Sequence, residues 1–401
     1  SECLEITTGN PEWDAVFNLS QRLAASLFFP PGTHLPRSSF VLARQPDQGF
    51  SLRGDGSDYN SLWNGVTALD CWYLSRLVLP GMAERLAGLV ENFLSTADSR
   101  GQLDWKPGLA GQRSRRMAQP LLAHLAWEVY QVQPDLKWLS KVYPGLLAFF
   151  RHWFSARHDR DQDGFPEWEH PYQSGLEFSP LFDVTFPASQ GVEPTLVETP
   201  ALPAMLFAEA ASLLKMAAVL GEENDKEWLE ARQKHLADLI EGLWNEEEGI
   251  YTHRDAHTHA VSRAEVLLTF DGRGEYPLQR GLNPPARLRL QLETQTELTR
   301  RIHIRLKGRD AFGNPLEEEI TPQQVSWLHG SWRYTGQAVF SFIDTIEVLN
   351  LHPGDRGRLA SIDFFDEDIS LLLPLWAGVP TMDHARRLVN ETMRSRYLQP
   401  Y

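Results

Sequence analysis

The stretch ALPAMLFAEAASLLKMAAVL, residues 201–220, decides the fold class. It reads as a helix, and Gly221 stands where a helix end commonly takes a left-handed residue. A second helical pattern follows at 224–244, so the two read as an antiparallel pair. Outward from this pair the same arrangement repeats. Residues 11–28 (PEWDAVFNLSQRLAASLF) keep helical spacing and stop before Pro30-Pro31. Two patterns over 62–98 meet at Pro80-Gly81, and the second of them, MAERLAGLVENFL, is strongly amphipathic. Further helices are expected at 117–132, 137–156, 366–377 and 382–396.

Between these pairs lie long polar segments, at 29–58, 99–116 and 157–200. Loops longer than about 15 residues are uncommon in compact domains and are often functional. A β module interrupts the helices. RLRLQLETQ (287–295), RRIHIRLKGRD (300–310), GQAVFSFID (336–344) and TIEVLNLH (345–352) alternate apolar and polar residues with period two. The expected organisation is therefore a helical domain over 1–275 and 359–401, with a small antiparallel β-sandwich-like module inserted at 276–358. A solenoid and a closed α/α toroid both fit successive helical pairs. No fixed repeat period is visible, and the long loops are rich in Trp, Asp, Glu and His, which favours the toroid.

The bulk numbers narrow the function. The chain has 401 residues, 42% hydrophobic and 23% charged, with a net charge of -15 and 13 Trp. An acidic surface repels phosphate backbones, so nucleic acid and anionic membranes are not expected partners. The start SECLEITTGNPEW has neither a basic n-region nor an apolar core, so no signal peptide is read and a cytoplasmic location is expected. No membrane span is read. Cys3 and Cys71 show no ligand spacing, which leaves neither a disulfide framework nor a zinc site.

The chemistry concentrates in DRDQDGFPEWEHPYQSGLEFSP, residues 159–180. Carboxylates, aromatics, His and Gln together are what sugar hydrolysis requires: acids to move protons, flat faces and amides to hold hydroxyls. A solvated acidic loop is the competing reading. Asp159, Asp161 and Asp163 before Gly164 also begin like a calcium loop, but position twelve is His170 and not Glu, so an Asx-stabilised turn is the favoured reading. No cofactor is expected beyond that weak Ca2+ candidate.

The string HPYQSGLEFSPLFD (170–183) resembles the catalytic-acid loop of glycoside hydrolase family 63, which holds α-glucosidases and mannosylglycerate hydrolases. Other stretches follow in the family's order: Leu62-Trp63-Asn64-Gly65; Gln119-Pro120-Leu121-Leu122; Leu243-Trp244-Asn245 with Gly249-Ile250-Tyr251 and Asp255; Leu373-Pro374-Leu375-Trp376-Ala377-Gly378. The resemblance implies an (α/α)6 barrel and inverting hydrolysis of a small α-linked gluco- or manno-configured glycoside. It places the general acid at Glu177, where relatives carry Asp, and Phe178 beside it would desolvate the carboxyl. Substrate contacts fall on Trp63, Asn64, Trp105, Gln119, Trp168, His170 and Gln173. Asn64 replaces the family's Asp. The second carboxylate in relatives is a late Glu, beyond the segment matching 373–397. The base is therefore expected outside this chain, on a second chain or a missing C-terminal segment completing the barrel. A non-catalytic sugar-binding or scaffold protein derived from such a barrel is the alternative. Trp327, Trp332 and Tyr334 are expected to seal the β module rather than form a glycan platform, and the acids at 366–368 to complement a helix dipole.

Overall fold

The computed structural model describes residues 3–42, 65–79, 81–109, 116–175, 179–182, 191–296, 298–325, 327, 330–365 and 368–397. In chain order the helices begin with α1 (Pro11–Ser26), α2 (Ala68–Val78), α3 (Ala83–Leu94), α4 (Leu122–Val132) and α5 (Leu136–His152). They continue with α6 (Pro171–Ser174), α7 (Ala201–Leu220), α8 (Glu223–Glu241), α9 (Leu373–Ala377) and α10 (Met382–Arg387). The chain divides into two compact units. The first comprises Ser1–Pro166 and Leu202–Leu239, the second Glu167–Ala201 and Ile240–Tyr401.

The first unit is helical. Within it α1 packs against α2, α3 against α4 and α5, α4 against α5, and α2 against α4. In α5, Leu139, Val142, Leu146, Phe149 and Phe150 recur at three- and four-residue steps and are all buried. That is the apolar stripe of an amphipathic helix. Asp135 caps its start by accepting from the Trp138 N–H. By contrast α7 is apolar on every side. Its length and composition would suit a membrane, with a window of mean hydropathy 1.5, but 67% of that window is buried within the protein. Glu209 at its middle is fully buried and hydrogen-bonded, which identifies a core helix rather than a span.

The second unit carries the β module. Short pairs come first: β1 (Phe28–Phe29) and β2 (Ser39–Phe40) belong to the first unit, β3 (Val197–Glu198), β4 (Trp244–Asn245), β5 (Ile250–Tyr251) and β6 (Arg254–Asp255) to the second. The module itself comprises β7 (Val266–Asp271), β8 (Gly274–Ala286), β9 (Leu288–Glu293), β10 (His303–Arg309), β11 (Pro315–Ile320), β12 (Ser331–Thr335), β13 (Phe340–Leu349) and β14 (Arg356–Ser361). They form two antiparallel sheets, ordered β11-β10-β13-β8 and β12-β9-β14-β7. Leu288, Leu290, Leu292 and Leu359 from one sheet meet Ile304, Leu306, Ile343 and Ile346 from the other in a single core. This is a sandwich.

Two strands escape a period-two reading for physical reasons. β8 holds Pro277, Pro284 and Pro285, and it is tolerated because it lies at a sheet edge and pairs with β13 through register shifts. β11 is a charged edge strand whose Glu317 and Glu319 face Lys307 and Arg305. Trp332 is buried in the sandwich core, with Tyr334 stacked at 6.0 Å and Trp327 at 6.3 Å, so these aromatics fill the module's interior. The C-terminal helices change type along their length: a 3-10 turn at Ile369–Leu372 leads into α9, and α10 passes into π-helical turns over Leu388–Tyr397, so the chain is helical across the expected 382–396.

Candidate active site

In the first unit, a two-stranded turn delivers two of the expected contact residues. Asp104 bridges Met117, the Trp105 N–H donates to the Arg116 carbonyl at 2.8 Å, and the Ala118 N–H donates to the Leu103 carbonyl at 3.0 Å. Trp105 is buried, with Lys106 and Arg116 cations within 6 Å of its ring. Gln119 follows directly and is fully buried. Neither its amide nitrogen nor its amide oxygen has a hydrogen-bond partner among the described residues. A buried amide left without partners costs roughly 1–3 kcal/mol, which makes this position before α4 an uncompensated polar site in the fold.

The start of α4 has no side-chain cap of its own. Glu209, from the middle of α7, supplies it: its carboxylate accepts the Ala123 N–H at 3.0 Å and the His124 N–H at 2.7 Å. Burial pushes this carboxyl up to about 7, against the two N–H groups that pull it down. A raised carboxyl is what a general acid needs. Here, however, both oxygens are committed to a helix end, which makes Glu209 a structural residue. Sequence reasoning missed it, although a lone acid inside an otherwise apolar helix was the available signal.

The turn at 159–165 is built from Asx hydrogen bonds. Asp159 accepts from the Gly164 N–H, Asp161 from the Asp163 N–H and Asp163 from the Phe165 N–H. Gly164 sits at φ +89, a conformation that suits glycine. His235 contacts the Asp163 carbonyl at 2.8 Å through Nε2. Just upstream, His158 is buried against Trp153 and His152, and burial lowers its imidazole to about 3.

In the second unit, the loop carrying the remaining expected residues is buried and internally bonded. Trp168 is 1% exposed. His170 caps α6: its Nδ1 accepts the Tyr172 N–H at 3.1 Å, which leaves the proton of the neutral ring on Nε2. Gln173 is fully buried and its Oε1 accepts the Glu169 N–H at 2.8 Å. Gly175 ends α6 at φ +72. Beyond it, the Ser179 hydroxyl donates to Asp368, which also caps the 3-10 turn before α9 by accepting the Ser370 N–H at 2.8 Å. Of the acids at 366–368, the described one thus acts at a helix start. Glu177, Trp63 and Asn64 lie outside the described residues.

A second polar framework in this unit was not read from the sequence. β3 and β6 pair Glu198 with Arg254, and their side chains form a buried ion pair, with His259 Nε2 at 3.5 Å from the same carboxylate. The neighbouring Asp255, part of the Gly-x-Tyr…Asp segment, accepts from Arg287 Nε at 2.6 Å and from the His257 and Thr258 N–H groups. Arg287 is fully buried and reaches from the junction of β8 and β9. It also donates to the Gln337 carbonyl and contacts His257 Nδ1. The β module is therefore tied by a buried cation to the loop at 253–262.

Comparison with known proteins gives this arrangement a context. The family model for the mannosylglycerate hydrolase MGH1-like glycoside hydrolase domain matches residues 76–297. A trehalase from Arabidopsis thaliana is 29% identical over 97 residues, 23% of this chain and 15% of the relative's length. A GH63 mannosylglycerate hydrolase from Thermus thermophilus, solved with Tris, aligns with TM-score 0.53 and 15% identity over 95% of this chain and 79% of that one. That likeness shows a shared fold. The same enzyme solved with glucose aligns with TM-score 0.36 and 21% identity over 45% of this chain and 58% of that one.

Proposed function

The chain belongs to the mannosylglycerate hydrolase MGH1-like glycoside hydrolase family, and on that premise we propose that it hydrolyses a small α-linked gluco- or manno-configured glycoside with inversion, Glu177 acting as general acid. The observation that carries this reading is the state of the loop on either side of that residue. Trp168, Gln173, Ser174, Ser179 and Leu181 are all buried, and Gln173 and Ser179 are hydrogen-bonded within the unit. A solvated acidic loop would leave such residues in water. A proton donor, in contrast, must be carried on a fixed frame to lie within hydrogen-bond reach of the leaving oxygen. Glutamate in place of the family's aspartate reaches one carbon further, so the frame around it is expected to sit correspondingly further back.

Gln119 supports the same reading from the first unit, as a buried amide whose donors and acceptor suit sugar hydroxyls. The helices described there are, in this proposal, part of an (α/α)6 ring. Inversion further requires a second carboxylate roughly 6.5–9.5 Å from the acid, with room for a water between them. Mannosylglycerate and trehalose, the substrates named by the relatives, are the first compounds to offer.

The test is Glu177→Gln. Turnover of a cleaved glycoside should fall by about 10²–10⁴, with sugar binding retained, and the anomer released by the wild type, followed by NMR, should be inverted. Wild-type turnover by the variant refutes the assignment of the acid. Binding without turnover by the wild-type chain across α-glycosides would favour a sugar-binding protein instead.

A further inference from the structure

The outer face of the sheet β12-β9-β14-β7 carries a feature that the hydrolytic reading does not use. A hollow of about 440 Å³ lies over its middle strands, lined by the side chains of Thr269, Asp271, Gln291, Glu293, Arg356 and Arg358 together with Phe270 and Gly357, which belong to the core-facing row. The register orders these side chains into two rows. In one, Arg358 lies between Thr269 and Gln291, and Gln291 in turn faces Arg333 on β12. In the other, Arg356 lies between Asp271 and Glu293. Adjacent strands are about 4.8 Å apart, so the guanidinium-bearing positions 333 and 358 flank Gln291 across roughly 10 Å. The two rows are separated by two residues, about 6.7 Å.

Arg333, Arg356 and Arg358 form no ion pair among the described residues, and Arg356 and Arg358 are exposed. Unpaired arginines in register stand out on a chain of net charge -15. The first row therefore offers two guanidinium forks and an amide to a planar anion. The second offers carboxylate oxygens to hydroxyl donors. One ligand chemistry matches both: a sugar ring bearing a carboxylate, its acid on the Arg358–Gln291–Arg333 row and its hydroxyls against Asp271 and Glu293.

We propose that this face of the β module binds a carboxylated glycan of the uronic-acid class. A protein partner is disfavoured because the aromatic residue at the hollow, Phe270, is buried in the sandwich core, whereas protein interfaces anchor on exposed aromatic and aliphatic groups. The choice of a glycan over other polyanions rests on the chain's membership of a glycoside hydrolase family.

The test is calorimetric titration of the full chain with a galacturonate trisaccharide, its methyl ester, neutral maltotriose and polyglutamate. The acid should bind, the ester and maltotriose should bind at least about tenfold more weakly, and the binding should weaken as salt is raised. Arg358→Ala and Arg333→Ala should each weaken the acid by about tenfold or more. Gln291→Glu, which places a negative charge between them, should do at least as much. All three exposed-face variants should keep the wild-type melting temperature and turnover of a small neutral glycoside, so failure here is separable from failure of the hydrolase reading. No binding of the acid, equal binding of ester or polyglutamate, or indifference to Arg358→Ala would overturn the proposal.

Discussion

Replacing Glu209 by Gln separates a buried structural carboxyl from a catalytic one. In the fold the carboxyl rises from the usual 4.5 to about 7 because it is buried, although two N–H groups at the start of α4 oppose the rise. The folded chain thus holds this proton more tightly than the unfolded chain. The group's favourable contribution is complete below about pH 4.5 and is lost as pH rises towards 7. Holding the carboxyl at about 7 instead of 4.5, at 1.36 kcal/mol per pH unit, amounts to roughly 3 kcal/mol over the whole titration. Glutamine has no proton to lose. Its carbonyl can accept one of the two N–H groups, but its amide NH2 meets the other, leaving a donor unsatisfied at a cost of about 1–3 kcal/mol that does not vary with pH. Glu209→Gln should therefore be clearly less stable than the wild type near pH 5, and should recover about 2.4 kcal/mol relative to it by pH 7.5. Urea unfolding followed by Trp fluorescence at intervals between these pH values measures the difference. A stability difference that stays constant across the range would refute the coupling of burial to ionisation argued for this residue.

Three further outcomes follow from buried groups and from the acid itself. His158 is depressed to about 3 by burial, so its contribution is intact above the usual 6.5 and is lost as the solution is acidified towards 3. His158→Phe should therefore gain about 3 kcal/mol on the wild type by pH 4, seen as a smaller fall of melting temperature with acid. Arg287→Met strips the buried Asp255 of its cation and should cost about 3–5 kcal/mol in thermal unfolding, while the double variant with Asp255→Asn should regain part of that loss. The Glu177→Gln assay bears on the acid alone, and an unchanged melting temperature in that variant would attribute its loss of turnover to chemistry rather than folding.

Much of the architecture was legible because local patterning and burial coincide. Helical spacing in MAERLAGLVENFL and in α5, Gly221 after α7, and the alternation of β9, β10 and β13 each report which face meets a core. Elements that break these rules were not legible: β8 with its prolines and β11 with its glutamates depend on being edge strands, which is a property of sheet order and not of the residues. In the loop at 159–180 the Asx turn formed as its composition indicated. What its aromatic and polar residues do was less visible, because Trp168 and Gln173 are buried and His170 is a helix cap.

The amino-acid sequence alone determined that helices accompany a β module and which family supplies the comparison. These are consequences of short-range periodicity and of residue types at short spacing. Only the tertiary structure decided that Glu209 caps a helix begun some 85 residues earlier, that Arg287 from the β module neutralises Asp255, and that arginines from β12 and β14 share one sheet face with Gln291 between them. Each of these depends on desolvation and on contact between positions distant in the chain, and a linear pattern does not encode which remote group will meet a buried charge.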